Sequence, residues 1–158
     1  MSEQKIIELE ARLARLEDLE RIRTLTNQYH AGINSKNVDA ICSVFAADGV
    51  VVLGNGKAAT GIDAIRASYE GAMSKIKWVK QFVHAHTIEI EGQSARGHAD
   101  LDARYVAVGD PNSYLVSARL LYEYVKRDGR WWTSRYEVKL DFRVPLQVGW
   151  AGENLIWV

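Results

Sequence analysis

The chain has a single cysteine, Cys42, so no internal disulfide can form. Such sparing use fits a reducing compartment, and a cytoplasmic location is expected. Neither sign of charge is in excess, since 20 Lys and Arg balance 20 Asp and Glu. No net field is therefore available to gather nucleic acid or an anionic membrane, and no Lys/Arg run supplies a local one. Neither nucleic acid nor a membrane is expected as a partner. Trp131 and Trp132 are not interleaved with basic residues in the way a nucleic-acid stacking platform requires. No apolar run reaches the roughly 18 residues of a spanning helix. The opening stretch, MSEQKIIELEARLARLEDLE, is charged throughout and has no apolar h-region, so no secretory signal is expected. Repeats, linkers and low-complexity segments are also missing. What is present is 158 residues, 47% of them apolar, which is enough for a real core and suggests one domain over 1–158.

The chain is organised around residues 21–53. Ile22, Leu25, Tyr29 and Ile33 recur at helical spacing. Asn37 is placed to cap a second helix carrying Val38, Ile41, Val44 and Phe45. Asp48-Gly49 reads as a turn, and Val50 to Leu53 as the start of a strand. Two short helices feeding a curved sheet leave a concave apolar space, and Tyr29 and Asn34 are expected to look into it. Ahead of this stretch, Ile6, Leu9, Leu13 and Leu16 give residues 4–20 a helical apolar stripe at 3-4-3 spacing. The plainer expectation is an arm packed on its own domain, and the alternative is a contact with another subunit. The stripe is too short for a free-standing coiled coil.

Further on, GNGKAATG lacks the phosphate-loop pattern. Residues 62–77 return to helical spacing. Four strands are then expected at 79–90, 95–108, 113–127 and 131–144, joined by turns at Glu91-Gly92, Gly109-Asp110 and Asp128-Gly129. Helices first and strands second is the α+β pattern. Strict alternation puts His84, His86, Ile88 and Ile90 on one buried face. It also puts Leu101 with small alanines on the next strand, Leu120 and Tyr122 on the third, and Trp132, Ser134, Tyr136, Val138 and Leu140 on the fourth. The small residues leave volume, so Leu101, Leu120, Tyr122, Trp132, Tyr136 and His86 are expected to line a ligand pocket. His84 and His86 lack a nearby Asp, Glu or Cys, so no metal site is expected. The outer face of the sheet is expected to bear Leu115, Leu121 and Trp131. The tail from Val144 to Val158 is apolar and is expected to cover the pocket or a neighbouring copy.

The stretch LEDLERIRTLTNQYHAGINSKNVDAICSVFAADGVVVL, followed by GIDAIRASY, FVHAHTIEI and YEYVKRDGRWWTSRYEV, resembles the SnoaL-like branch of the nuclear transport factor/ketosteroid isomerase superfamily. The resemblance implies a cystatin-like α+β cone, a curved antiparallel sheet closed by N-terminal helices around an apolar pocket. It implies no cofactor. Dehydratases and dehydrochlorinases of this kind use an aspartate at the first helix–turn and a histidine on the following long strand. Carried over, these fall on Asn34 and His84, with a tyrosine at Tyr29. The implied activity is a cofactor-independent lyase or isomerase acting on a small apolar or aromatic cyclic compound, single-ring or polycyclic. His84 would move the proton, Tyr29 would polarise an oxygen and Asn34 would orient the others. The alternative is a non-catalytic small-molecule binding or accessory protein, motivated by the amide at the aspartate position. A homo-oligomer is expected, a trimer in preference to a dimer.

Overall fold

In the computed structural model, residues 2–147 and 156–157 are described. Good helix formers run without interruption from the start of the chain, and α1 is one helix from Glu3 to Ser35. It ends at Lys36, which takes a left-handed conformation (φ 56°) and donates its N–H to the carbonyls of Gly32 and Ile33. Only its second half is buried, through Ile22, Leu25, Thr26, Tyr29, His30 and Ile33. Residues 3–17 are exposed along their whole length. The expectation of an arm packed on its own domain is therefore corrected, because the apolar stripe of the arm lies on the far side of the helix from the core.

Asn37 caps α2 (Val38–Cys42) as expected, its side chain accepting from the Ala40 N–H at 3.0 Å. Gly32 lets α2 come this close, since a Cβ there would stand 3.0 Å from Ile41. Val44 and Phe45 are not in that helix. Strand β1 starts at Phe45 and runs to Val52 through Asp48-Gly49, and an irregularity between Phe45 and Val50 takes the place of the expected turn. After β2 (Ala58–Thr60) and α3 (Ile62–Ser74) come four long strands: β3 (Ile76–Glu91), β4 (Ser94–Ala107), β5 (Ser113–Arg127) and β6 (Arg130–Pro145). The order across the sheet is β2-β1-β6-β5-β4-β3, with β1 parallel to β6 and the other pairs antiparallel. A short β7 (Ile156–Trp157) pairs with β6 at Phe142 and Arg143. The fold is α+β: a curved, unclosed sheet with α1, α2 and α3 laid over its concave face. Most of the expected apolar tail falls outside the described residues.

Register decides which side chains reach the interior. On β4 and β5 alternation holds throughout, and Ala95, Ala99, Leu101 and Ala103 are buried with Val116, Ala118, Leu120, Tyr122 and Tyr124. On β3 it breaks. His84 pairs with Asp100 and Thr87 with His98, so Ala85 and His86 together face the single residue Ala99. Ala85 takes a left-handed φ of 51° to make this bulge. The inward set is therefore Val79, Gln81 and Val83 before the bulge, and His86, Ile88 and Ile90 after it. On β6 the same thing happens at Ser134, since Glu123 pairs with Arg135 but Tyr124 with Thr133. Trp131 and Thr133 face inward on one side of it, and Tyr136, Val138 and Leu140 on the other. Trp131, expected outside, is 2% exposed.

Candidate functional site

The open end of the cone holds a cavity of about 210 Å3. Its walls are Ile33 and Tyr29 of α1, Tyr69 and Met73 of α3, and inward residues of β3 to β6, among them Leu101, Ala103, Tyr136 and Leu140. Small residues on β4 and β5 leave this volume. No charged side chain lines it. Its polar side chains are Tyr29, Tyr69, Tyr136, Gln81 and Tyr105, the last with its hydroxyl accepting from Arg143 at 3.3 Å. Tyr29 and Tyr69 share a hydrogen bond of 2.8 Å, and the Tyr136 ring lies 4.8 Å from that of Tyr29. Burial pushes the hydroxyls of Tyr29, Tyr69 and Tyr136 well above their ordinary pKa, so they stay protonated. One of the Tyr29–Tyr69 pair donates to the other, and the accepting partner keeps its own O–H to donate elsewhere. A wider groove of about 590 Å3 runs outside, between α1 and the β5–β6 turn. Exposed Glu17, Arg21, Gln28 and Arg130 bound it, with buried Leu25 and Trp131 at its floor, and it shares no lining residue with the cavity.

One chain of hydrogen bonds forms the wall behind the cavity. Asn34, half-buried at the end of α1, grips the backbone of Gln81 on β3. Its Oδ1 accepts from the Gln81 N–H at 2.7 Å and its Nδ2 donates to the Gln81 carbonyl at 3.2 Å. The Gln81 side-chain Oε1 meets His30 Nδ1 at 2.7 Å, and His30 Nε2 meets the Tyr122 hydroxyl at 2.9 Å. Burial lowers the His30 pKa to about 4, with the Gln81 contact opposing. The imidazole is thus neutral near pH 7: its Nδ1–H donates to Gln81, and its Nε2 accepts from Tyr122. With Oε1 taken, the Gln81 amide nitrogen has no hydrogen-bond partner among the described residues and is left to the cavity.

Several expected site residues are elsewhere. His84 is exposed on the convex face, because the Ala85 bulge reverses the phase of β3 after Val83. Trp132 is turned away from the cavity by the Ser134 bulge. It lies in an outer hollow with Cys42 and Ile62, the Arg130 guanidinium 3.8 Å above its ring. Leu120 is fully buried in the closed end and Tyr122 is committed to His30, so neither lines the cavity. His86 also belongs to the closed end, where its Nε2 meets the Tyr124 hydroxyl at 3.2 Å and Tyr124 meets Thr26 at 2.7 Å. Tyr29, Leu101 and Tyr136 do line the cavity, and Asn34 stands one layer behind it. Sequence reasoning missed His30 and Gln81. Thr26, His30 and Ile33 follow helical spacing, which was the available signal for His30. For Gln81 it was alternation with Val79 and Val83, counted from the start of β3. Among the described residues no cluster of His, Cys, Asp and Glu could hold a metal ion, and no helix is long and apolar enough to cross a membrane.

The SnoaL-like domain matches residues 14–137 of the chain. The chain belongs to the SnoaL-like family. None of the curated proteins matches the sequence. Among solved structures, a hexachlorocyclohexane dehydrochlorinase, LinA type 2, is 18% identical with a TM-score of 0.81, covering 91% of this chain and 96% of its own. A presumptive scytalone dehydratase from Novosphingobium aromaticivorans is 16% identical with a TM-score of 0.77, covering 92% and 95%. A ketosteroid isomerase-like protein from Erwinia carotovora atroseptica is 17% identical with a TM-score of 0.71, covering 78% and 96%. At these identities the likeness is one of fold, and a SnoaL-like fold hosts more than one chemistry.

Proposed function

We propose that the cone binds a small, mostly apolar ring compound through an oxygen that accepts hydrogen bonds. The observation that carries this is an uncharged cavity that still offers donors: the O–H of the Tyr29–Tyr69 pair not spent between them, and the free amide nitrogen of Gln81. Its volume, about 210 Å3, exceeds the roughly 150 Å3 of a cavity that takes benzene, which favours one or two rings over a larger polycycle. The aspartate–histidine pair implied by the resemblance has a counterpart here in the contact of Asn34 with Gln81 on β3. Both are neutral amides, and neither can take up a proton at neutral pH. This favours binding over chemistry driven by a charged dyad.

The second reading is a cofactor-independent lyase or isomerase of the dehydratase type. It is favoured by His30, a titratable group hydrogen-bonded to a wall residue of the cavity. In it Tyr29 polarises the substrate oxygen, and His30 acts through Gln81. Exposed on the convex face, His84 has no part in either reading. Assembly belongs to the same proposal: three copies rather than two, in contact through exposed Trp78 and Phe82 of β3 on the face away from α1, so that the arm of each copy is left to meet one of a neighbouring trimer. Light scattering weighs that assembly directly.

The test of binding compares 1-tetralone with tetralin, which has nearly the same shape and no oxygen. Titration calorimetry is expected to give at least tenfold tighter binding for the ketone, and Tyr29→Phe with Gln81→Leu is expected to remove most of that preference. Equal affinities would sink the acceptor claim, and no binding of either compound would sink the cavity reading. Deuterium from heavy water appearing next to the tetralone carbonyl, followed by NMR, would establish the second reading over the first.

A further inference from the structure

We propose that the exposed first half of α1 pairs in parallel with the same segment of a second copy of this chain. The first observation is one of phase. At ~100° per residue, the centre of the arm stripe Ile6, Leu9, Leu13 and Leu16 falls about 170° around the helix from the centre of the core stripe. These four side chains are 41% to 64% exposed, and an unbroken helix cannot turn them toward its own sheet. The side of the arm that faces its own domain is a different one. Arg15 there reaches the Ile90 carbonyl at 3.4 Å, and Asp18 holds Lys126 at 2.9 Å.

The second observation is charge. Spacing of 3-4-3 makes Ile6 and Leu13 the a positions of two heptads, and Leu9 and Leu16 the d positions. The g positions are then Lys5 and Arg12, and the e positions Glu10 and Glu17. In a parallel pair each g residue faces the e residue five places further along the other helix. Lys5 meets Glu10 and Arg12 meets Glu17, in both directions across the two-fold. An antiparallel pair would set e against e and g against g, and every such contact would join like charges. The pattern therefore chooses both the occupant, an identical segment, and its direction. Glu17 also touches Arg21 of its own helix at 3.3 Å, but that pair is half-exposed and offers little competition. Two heptads are marginal for isolated peptides because helix nucleation is unfavourable. Here the folded half of α1 has already nucleated the helix.

The test uses the full chain with Leu9→Cys. The native thiol, Cys42, is buried and does not interfere. In a parallel pair the two introduced thiols meet, so oxidation at micromolar concentration is expected to link most chains in pairs on a non-reducing gel. Adding Lys5→Glu and Arg12→Glu makes the seam acidic on both sides and is expected to slow linkage at least tenfold. Mixing that variant with Leu9→Cys carrying Glu10→Lys and Glu17→Lys is expected to restore it as mixed pairs. Leu9→Cys chains that stay single, acidic arms that link as fast as the parent, or a mixture that fails to recover would each overturn the proposal. Ligand binding in the cone is untouched by these substitutions, so this outcome is separate from the one above.

Discussion

The two ends of the cone are built from the same strands and the same long helix, yet one is filled and the other hollow. At the closed end Leu120, Tyr124, Trp131 and Ile22 are almost fully buried. Thr26, Tyr124 and His86 satisfy one another there. Gly97 makes room, since a Cβ would stand 3.3 Å from His86 Nε2 and 2.7 Å from the Thr87 carbonyl. At the open end alanines and aliphatics stand back, and the tyrosine hydroxyls gather around space. The line His30–Gln81–Asn34 divides the two. Thr26, Tyr124 and His86 stabilise the closed end by being paired, although the buried Trp131 Nε1 there has no hydrogen-bond partner among the described residues, and the open end keeps a donor of Gln81 unpaired. The difference teaches that a cavity in this fold comes from a choice of side-chain volume along each strand and needs no change of backbone plan.

The sharpest way to probe that contrast is to remove the same side chain at each end. Leu120→Ala, at a position with no exposure, should cost about 2–5 kcal/mol in urea unfolding. Leu140→Ala, on the cavity wall, should cost less than half as much. Equal costs would show that the open end is as tightly packed as the closed one.

Next in size is the dividing line itself. Folded His30 titrates at about 4, and an unfolded histidine near ~6.5. Between these values the unfolded chain binds more protons, so stability is lost as pH falls from 6.5 through 4. The full loss attributable to His30 should be about 3 kcal/mol. It is read as the difference between the parent and His30→Gln across that window. If the two unfold in parallel over the whole range, the imidazole is not held neutral by the fold. The smallest effect concerns the β3 bulge that sits between the two ends. Ala85→Gly should stabilise the protein by about 1 kcal/mol, because glycine takes a left-handed φ without a Cβ clash. A destabilised variant in thermal unfolding would mean that the bulge does not strain the chain.

The strands, their lengths and their hairpins were legible, and so were the cap at Asn37 and the inward faces of β4 and β5. Those features follow from local chemistry: turn residues, a side-chain cap and a period of two. Three things were not. The continuity of α1 hid behind its reversal of apolar phase, which reads as two helices when each stripe is taken alone. The bulges at Ala85 and Ser134 carry no glycine or proline to announce them. One uncounted residue on each of two strands moved His84 and Trp132 out of the interior, and the one on β3 left Gln81 unnoticed. His30 was passed over because a lone polar residue on an apolar stripe looks like an interruption. Only three-dimensional proximity to Gln81 and Tyr122 shows it to be satisfied.

The unbroken run of α1 has a mechanical consequence. From the exposed arm to Tyr29 there is neither proline nor glycine, so the helix is a shaft with no joint to absorb twist. The arm and the cavity wall are keyed to the same shaft. The length of the segment between Leu16 and Ile22 then sets the angle between them, about 100° for every residue added or removed. Such a segment works as a cam: Asp18 ties it to Lys126, but its count, and not its other letters, decides where the arm points.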